Sequence, residues 1–265
     1  MAEVVQPVDL VRFQDRHSSP GVDRVAAEVP LAVRLEGEPF SVIMRTPGGD
    51  DALTAGFLFS EGVIRGVADI TRIENQSPDV VNAVLSRERA AIVPDVLGQR
   101  RRVVMNSSCG MCGRRTLESL TVNREPLPAQ WTVRAETILS LPEILRPSQQ
   151  AFGETGGLHA AGLFDRNGHL ELSAEDVGRH NAVDKLVGRQ LLLDRLPLDG
   201  SMLFVSGRSS FEIVQKAFLA GIPLVGAVSA PSSLAIELAR SAGITLLGFV
   251  RDGRFNSYAH HERLQ

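Results

Sequence analysis

The chain has 265 residues, 43% of them hydrophobic, with 28 basic against 31 acidic side chains and a formal net charge of −3. That supply of apolar residues builds a sizeable core, as one large α/β domain or two small ones. The slightly acidic balance and the 5% aromatic content argue against a broad nucleic-acid surface or a base-stacking platform. Two cysteines, three positions apart, would close only a tiny loop as a disulfide, so they point to chemistry in a reducing compartment rather than a secreted framework. Residues 1–16 alternate charged and apolar side chains without an apolar h-region, and no uncharged apolar run reaches membrane-spanning length. A cytoplasmic, unanchored protein is expected.

In chain order, residues 28–36 and 38–45 alternate apolar and polar side chains around Gly37 and predict a hairpin. Thr46-Pro47-Gly48-Gly49 then turns into an amphipathic helix over 50–61, with acids in its first turn and Gly62 as its stop. Two or three weak strands are expected over 70–93, and a short strand over 101–106 that leads into the cysteines. A helix over 135–145 is expected to be broken by Pro142 and followed by a polar turn at 147–150. Residues 157–164 and 169–173, joined through Asn167-Gly168, predict a second hairpin. Helices over 178–193, 210–220 and 232–242 then alternate with strands over 201–206, 223–229 and 244–250, the grammar of a parallel sheet covered by helices. The chain therefore divides into a β-rich N-terminal lobe, 1–128, carrying the cysteines, and an α/β lobe, 129–265, carrying a ligand pocket; a single continuous domain is the alternative.

Open parallel sheets bind ligands beyond the carboxyl ends of their strands. Three such ends stand out. Ser206-Gly207-Arg208-Ser209-Ser210 offers small residues, backbone N–H groups and a guanidinium, the chemistry of an anion site, although a Ser N-cap beside a surface Arg explains it too. Ser229 to Ser233 is explained as well by capping as by a ligand. Arg251-Asp252-Gly253-Arg254 is a turn with two cations, solvated unless the other two ends lie close by. Neither a Walker loop nor a G-x-G-x-x-G occurs, so phosphate recognition has to be assembled from separate turns. Arg179, His180, Asn181 and Asp184 crowd a helix start after Asp176, where either a ligand or capping and i,i+4 pairing of Arg179 or His180 with Asp184 accounts for them. His159, beside Glu154 and Gly156-Gly157, is either a core histidine or a catalytic one.

The pair Cys109-Gly110-Met111-Cys112 is flanked by Arg101, Arg102, Arg114 and Arg115 and by a helix start near Thr116, all of which favour a thiolate. Structural zinc lacks two ligands, since there are no further cysteines and no His-x-x-x-His pair. A deaminase zinc site lacks its upstream H-x-E and the Pro before the first cysteine. A thioredoxin-like pair belongs after the first strand of a small βαβ domain, not beyond residue 100. Persulfide relay and simple thiol redox remain, with relay favoured.

At these residues the sequence resembles the FdhD family, sulfurtransferases accessory to formate dehydrogenase. The likeness rests on Thr46-Pro-Gly-Gly-Asp50, Gly56-Phe57-Leu58, Glu61-Gly62, Ser108-Cys-Gly-Met-Cys-Gly113 and Thr155-Gly-Gly-Leu-His-Ala160. It continues through Glu175-Asp-Val-Gly-Arg-His-Asn-Ala-Val-Asp-Lys185, Ser206 to Ser210, Ser229 to Ser233 and Gly248-Phe-Val-Arg251. The resemblance implies a cytoplasmic homodimer with a cytidine-deaminase-like mixed or parallel α/β sheet, and no zinc. It implies that sulfur is accepted from a cysteine desulfurase as a persulfide on Cys109, with Cys112 assisting. The sulfur then passes to the molybdenum cofactor, Mo-bis(molybdopterin guanine dinucleotide), before insertion into formate dehydrogenase. Cofactor binding maps to Phe249, Val250, Arg251, Asp252, Gly253 and Arg254. Together with the strand-end chemistry, Ser206, Gly207, Arg208, Ser209 and His180 join that set, and GDP or GMP is expected as a surrogate ligand. A non-catalytic chaperone for the same cofactor is the competing reading. No nucleic-acid or membrane partner is expected.

Overall fold

The computed structural model describes residues 3–91, 93, 125–128 and 130–265. Cys109, Cys112, their flanking arginines, the strand expected at 101–106 and the helix start near Thr116 lie outside the described residues.

The chain opens with a ribbon that the sequence pattern did not announce, β1 (Val5–Gln14) paired antiparallel with β2 (His17–Ala26). It is almost wholly exposed, Phe13 among its residues, so neither face shows the clean buried-and-polar alternation that marks a strand. The expected first hairpin forms as β3 (Val29–Leu35) and β4 (Glu38–Arg45), with Glu36 and Gly37 both at positive φ in the turn. Helix α1 (Asp50–Ser60) follows, and the chain leaves it through Gly62 at φ 72°. Two of the weak strands are present, β5 (Ile70–Ser77) and β6 (Val80–Leu85), before the short helix α2 (Arg87–Ala90). The resulting sheet has the order β4-β3-β6-β5.

Beyond residue 128 the expected elements appear with three corrections. Helix α3 (Ala135–Leu145) is not broken at Pro142: the ring removes one helical hydrogen bond, but Ile138, Leu141 and Leu145 are buried in the core and hold the final turn in place. The polar turn continues into a short helix, α4 (Gln150–Thr155), whose Ala151 and Phe152 N–H groups donate to the Glu175 carboxylate. The last strand is followed by another, β12 (Arg254–Ala259), unannounced because its residues are mostly polar and exposed. The others are β7 (His159–Phe164), β8 (Leu170–Asp176), α5 (Arg179–Leu192), β9 (Met202–Val205), α6 (Phe211–Ala220), β10 (Leu224–Ala227), α7 (Ser233–Ala242) and β11 (Thr245–Arg251).

These strands form one mixed sheet, β12-β11-β10-β9-β7-β8. Its middle, β9-β10-β11, is parallel; β7 and β12 run against their neighbours. Strand period decides the layers: Leu203 and Val205 point into a core with α5, α6 and α7, whereas Met202 and Phe204 point into a second core with Trp131 and α3. Among the described residues no helix is long and apolar enough to cross a membrane.

Helix α1 is buried nearly all round, packed on one side against the four-stranded sheet and on another against α5. Its backbone meets that of α5 at two glycines. A Cβ on Gly56 would fall 1.9 Å from the Asp184 carbonyl oxygen, and one on Gly188 would fall 1.9 Å from that of Ala52. Neither glycine has a positive φ, so the requirement is space. Gly56→Ala and Gly188→Ala are each expected to destabilise by at least about 2 kcal/mol through overpacking. Gly153→Ala, at a helical position with open space around it, is expected to be neutral or mildly stabilising. Urea midpoints of the three variants check this, and a Gly188→Ala protein as stable as the parent would refute the close contact.

Candidate functional site

Because β9, β10 and β11 are parallel, their carboxyl ends share one rim of the sheet, and antiparallel pairing brings the start of β7 and the end of β8 to the same rim. The three loops singled out in the sequence are joined there by backbone contacts. The Ser206 N–H donates to the Ala160 carbonyl, and the Ser206 hydroxyl accepts from the Ala160 N–H, both at 2.9 Å. Ser209 bridges to Pro231, and the Ser232 N–H donates to the Ser209 carbonyl at 3.1 Å. The Phe249 N–H donates to the Ser229 carbonyl at 3.1 Å, and a Cβ on Gly248 would lie only 2.9 Å from the Pro231 ring. Residues widely separated in sequence thus line one continuous edge.

The far wall is the β11–β12 hairpin. Residues 248–251 overhang the last β10 pairing, Gly226 with Leu247, by about 13 Å at the usual strand rise. Asp252 and Gly253 turn the hairpin at φ 53° and 69°, and Phe249 itself adopts φ 54°, an outlier for an aromatic residue inside an irregular stretch of the ladder. The Arg251 guanidinium stacks 5.7 Å from the Phe249 ring centroid, a cation–π arrangement. Arg251, Asp252 and Arg254 are exposed at the tip, with the Asp252 carboxylate 3.9 Å from Arg251. Val250 is wholly buried in the α3-side core, so only its backbone belongs to the rim. Strands β9 and β11 stand two spacings apart, about 10 Å, which sets the distance between the Arg208 loop and the hairpin.

Around the first loop the groups are mostly cationic or hydrogen-bond donors. Arg208 is exposed, and Ser209 is wholly buried with a hydroxyl that has no partner among the described residues. Gly207 lies against His159 and Arg179. His180 is buried instead against α6: its Nε2 is 3.0 Å from the Ser210 hydroxyl and 3.4 Å from a Glu212 carboxylate oxygen. The His180 contact, helped by Ser210, holds the Glu212 carboxyl down to about 2 against the opposing effect of burial.

Asp184 does not make the i,i+4 pair that the sequence suggested. It is buried between α1, α5 and α6, with Lys216 Nζ at 2.6 Å and the Ser60 hydroxyl at 2.7 Å. Tertiary packing puts a full counter-charge from α6 where Arg179 or His180 was expected. Asp176 is a second buried anchor. It accepts from the Gly178 N–H and Asn181 Nδ2 at 2.8 Å each and from the Thr46 N–H at 3.2 Å, with Lys185 Nζ 2.7 Å away. Burial raises its carboxyl from the ordinary value, while Lys185 and these donors pull it back. Lys185 also donates to the Thr46 carbonyl, and Asn181 to that of Met44, so the Thr46-Pro47-Gly48-Gly49 turn is tied to the base of the rim. Glu212 and Lys216 escaped the sequence reading because one residue in an amphipathic helix carries no signal of which neighbour it will face.

The described residues thus define a mixed α/β protein whose parallel strands end in a basic, glycine-containing rim. Residues 26–265 match the model of the FdhD/NarQ family. The sulfur carrier protein FdhD of Streptomyces avermitilis is 44% identical over an alignment covering all of this chain and 97% of that protein. Its counterpart from Saccharolobus solfataricus is 45% identical over 98% of each, and that of Thermoplasma acidophilum 47% identical over 91% and 87%. A crystal structure from Desulfotalea psychrophila, described as a formate dehydrogenase accessory protein, superposes with a TM-score of 0.79 at 25% identity, covering 99% of this chain and 100% of that one. The chain belongs to the FdhD/NarQ family.

The depressed Glu212 makes a pH prediction. Its contribution to stability is complete above the ordinary glutamate value of 4.5 and is lost as the pH falls toward about 2. Glu212→Gln should therefore lose less stability than the parent across that interval, measured as denaturation midpoints; parallel curves would show that the His180 contact adds nothing.

Proposed function

We propose that this protein is a sulfur carrier that serves formate dehydrogenase, working in the cytoplasm as a homodimer. Family membership and the names of the relatives support the sulfur-carrier role, and the description of the Desulfotalea structure supports the client. In the loading step the Cys109 thiolate attacks the terminal sulfur of a persulfide on a cysteine desulfurase. The donor's S–S bond breaks, a new one forms on Cys109, and the donor cysteine leaves as thiolate, with no net oxidation. Cys112 assists delivery of that sulfur to Mo-bis(molybdopterin guanine dinucleotide), the acceptor substrate. The mixed sheet with helices on both faces supports the cytidine-deaminase-like lineage that the resemblance implies.

The single structural observation behind the acceptor is the rim. A guanine dinucleotide carries a pyrophosphate, and Gly207, Arg208 and the buried hydroxyl of Ser209, which has no partner among the described residues, suit an anionic guest. Across about 10 Å, Phe249, Arg251 and Arg254 offer a stacking surface and two further cations suited to guanine or a second phosphate. His180 contributes from behind by fixing Glu212 and the start of α6 rather than through an exposed ring nitrogen.

Two measurements separate the halves of this reading. After incubation with desulfurase and cysteine, mass spectrometry should find the peptide containing Cys109 heavier by one sulfur atom, and Cys109→Ser should abolish that adduct and client maturation together. Arg208→Ala should weaken GDP binding about tenfold or more, the value of one charge-assisted hydrogen bond, and leave the adduct intact. GDP binding with no sulfur adduct on the parent protein would overturn the carrier and leave a cofactor chaperone.

A further inference from the structure

The ribbon that opens the chain is folded yet almost bare. Side chains directly opposite each other in an antiparallel pair point to one face, so the register places Val11 with Pro20, Asp9 with Val22 and Phe13 with Ser18 on the same side. Phe13, Val11 and Val22 on that side are 78%, 58% and 62% exposed. Diagonal neighbours across the ladder join them, with Pro20, into one apolar stripe toward the tip. The opposite face is closed by its own residues, since Leu10 folds over Gly21, where a Cβ would lie 3.5 Å from Leu10 Cδ1. The foot of the ribbon is fixed to the body. Arg24 pairs with Glu154 on α4 at 2.8 Å, and the Ala27 N–H donates to the Val4 carbonyl at 2.9 Å.

Two features narrow what can cover the stripe. A two-stranded sheet has two open edges, and here each carries a proline, Pro7 on β1 and Pro20 on β2. Both occupy the same class of position in the register, with the ring nitrogen turned outward, where each removes a donor that an added strand would need. Contact is therefore made by the face rather than by lengthening the ladder. Size is the second feature. One face of this ribbon is about 34 Å long and about 10 Å wide, or about 340 Å². A single contact over it buries about 700 Å² in total, too little for a stable complex, whereas two such contacts related by a two-fold axis bury about 1,400 Å², the size of a standard specific interface.

We propose that the β1–β2 ribbon is a dimerisation arm, its Phe13, Val11 and Val22 face laid against a second copy of this chain, whose own arm is laid against the first. The inference rests on the homodimer reading given above and adds the surface that forms it. An isolated two-stranded ribbon is marginal in water, so the second copy also supplies the apolar cover that keeps the arm folded. Phe13 is the anchor, with the largest apolar side chain of the stripe and the greatest exposure to lose.

Sedimentation velocity of the full chain over a dilution series tests this. The parent should be a dimer. Phe13→Asp combined with Val22→Asp should raise its dissociation constant by at least about a hundredfold, because each introduced charge is met twice across the two-fold axis. Arg12→Ala, on the opposite face, should leave it unchanged. A double variant as dimeric as the parent overturns the arm and leaves the homodimer reading standing, whereas a parent that is monomeric throughout the series removes both. A double variant that stays dimeric but is no longer loaded with sulfur by the desulfurase also overturns the proposal and assigns the face to the donor. Should the double variant fail to fold, hydrogen exchange of the parent decides: amides of residues 5–26 must lose protection as the dimer is diluted apart, and protection that stays constant overturns the proposal.

Discussion

The approach of α1 to α5 governs how the rest of the chain can be arranged. Backbone meets backbone at Gly56 and Gly188, where a single methyl group on either helix would occupy the position of a carbonyl oxygen. Because α1 also packs on the four-stranded sheet and α5 on the six-stranded one, this contact sets the spacing of the two sheets. It also brings Thr46, just after β4, within hydrogen-bonding distance of Asp176 at the end of β8 and Lys185 on α5. The glycines allow helices to touch over a width that side chains would otherwise hold open.

Buried charge then makes the arrangement specific. Asp184 with Lys216, and Asp176 with Lys185, are nearly inaccessible to water, and each aspartate accepts further hydrogen bonds that tie a second segment to it. Such pairs gain little over an apolar replacement, but removing one partner strands a charge in a poor solvent, by about 3–5 kcal/mol. Their effect is therefore to exclude other packings: α6 has one position in which Lys216 is satisfied, and the Thr46 turn has one in which its N–H and carbonyl both are. The rim inherits that rigidity, since β8 and β9 end on it and α6 starts from it.

The rim in turn spreads its donors over separate turns. A Walker loop concentrates its donors on one helix start; here the donors come from the loop after β9, the hairpin after β11 and the start of α5, and parallel strand order assembles them. The β11–β12 overhang, with Phe249 turned into a left-handed conformation beneath Arg251, widens the edge beyond what the paired strands alone provide.

Much of this was legible in the residues themselves. The hairpin around Gly37, α1 with its glycine stop, and the alternation of β9 to β11 with α6 and α7 follow from side-chain period and turn chemistry, which act over a few neighbouring residues. The family likeness followed from ordered motifs, and the placement of the loops at Ser206 and Arg251 after parallel strands followed from the strand and helix alternation. What the sequence left open depends on partners distant in the chain. The exposed ribbon β1–β2 and the polar strand β12 bury too little for a periodic signal. Pro142 stayed helical because the core holds α3 on either side of it, and Asp184 found Lys216 rather than a neighbour on its own helix. The place of His159 across from Gly207 was likewise decided by strand register, which a one-residue slip would have turned to the other face.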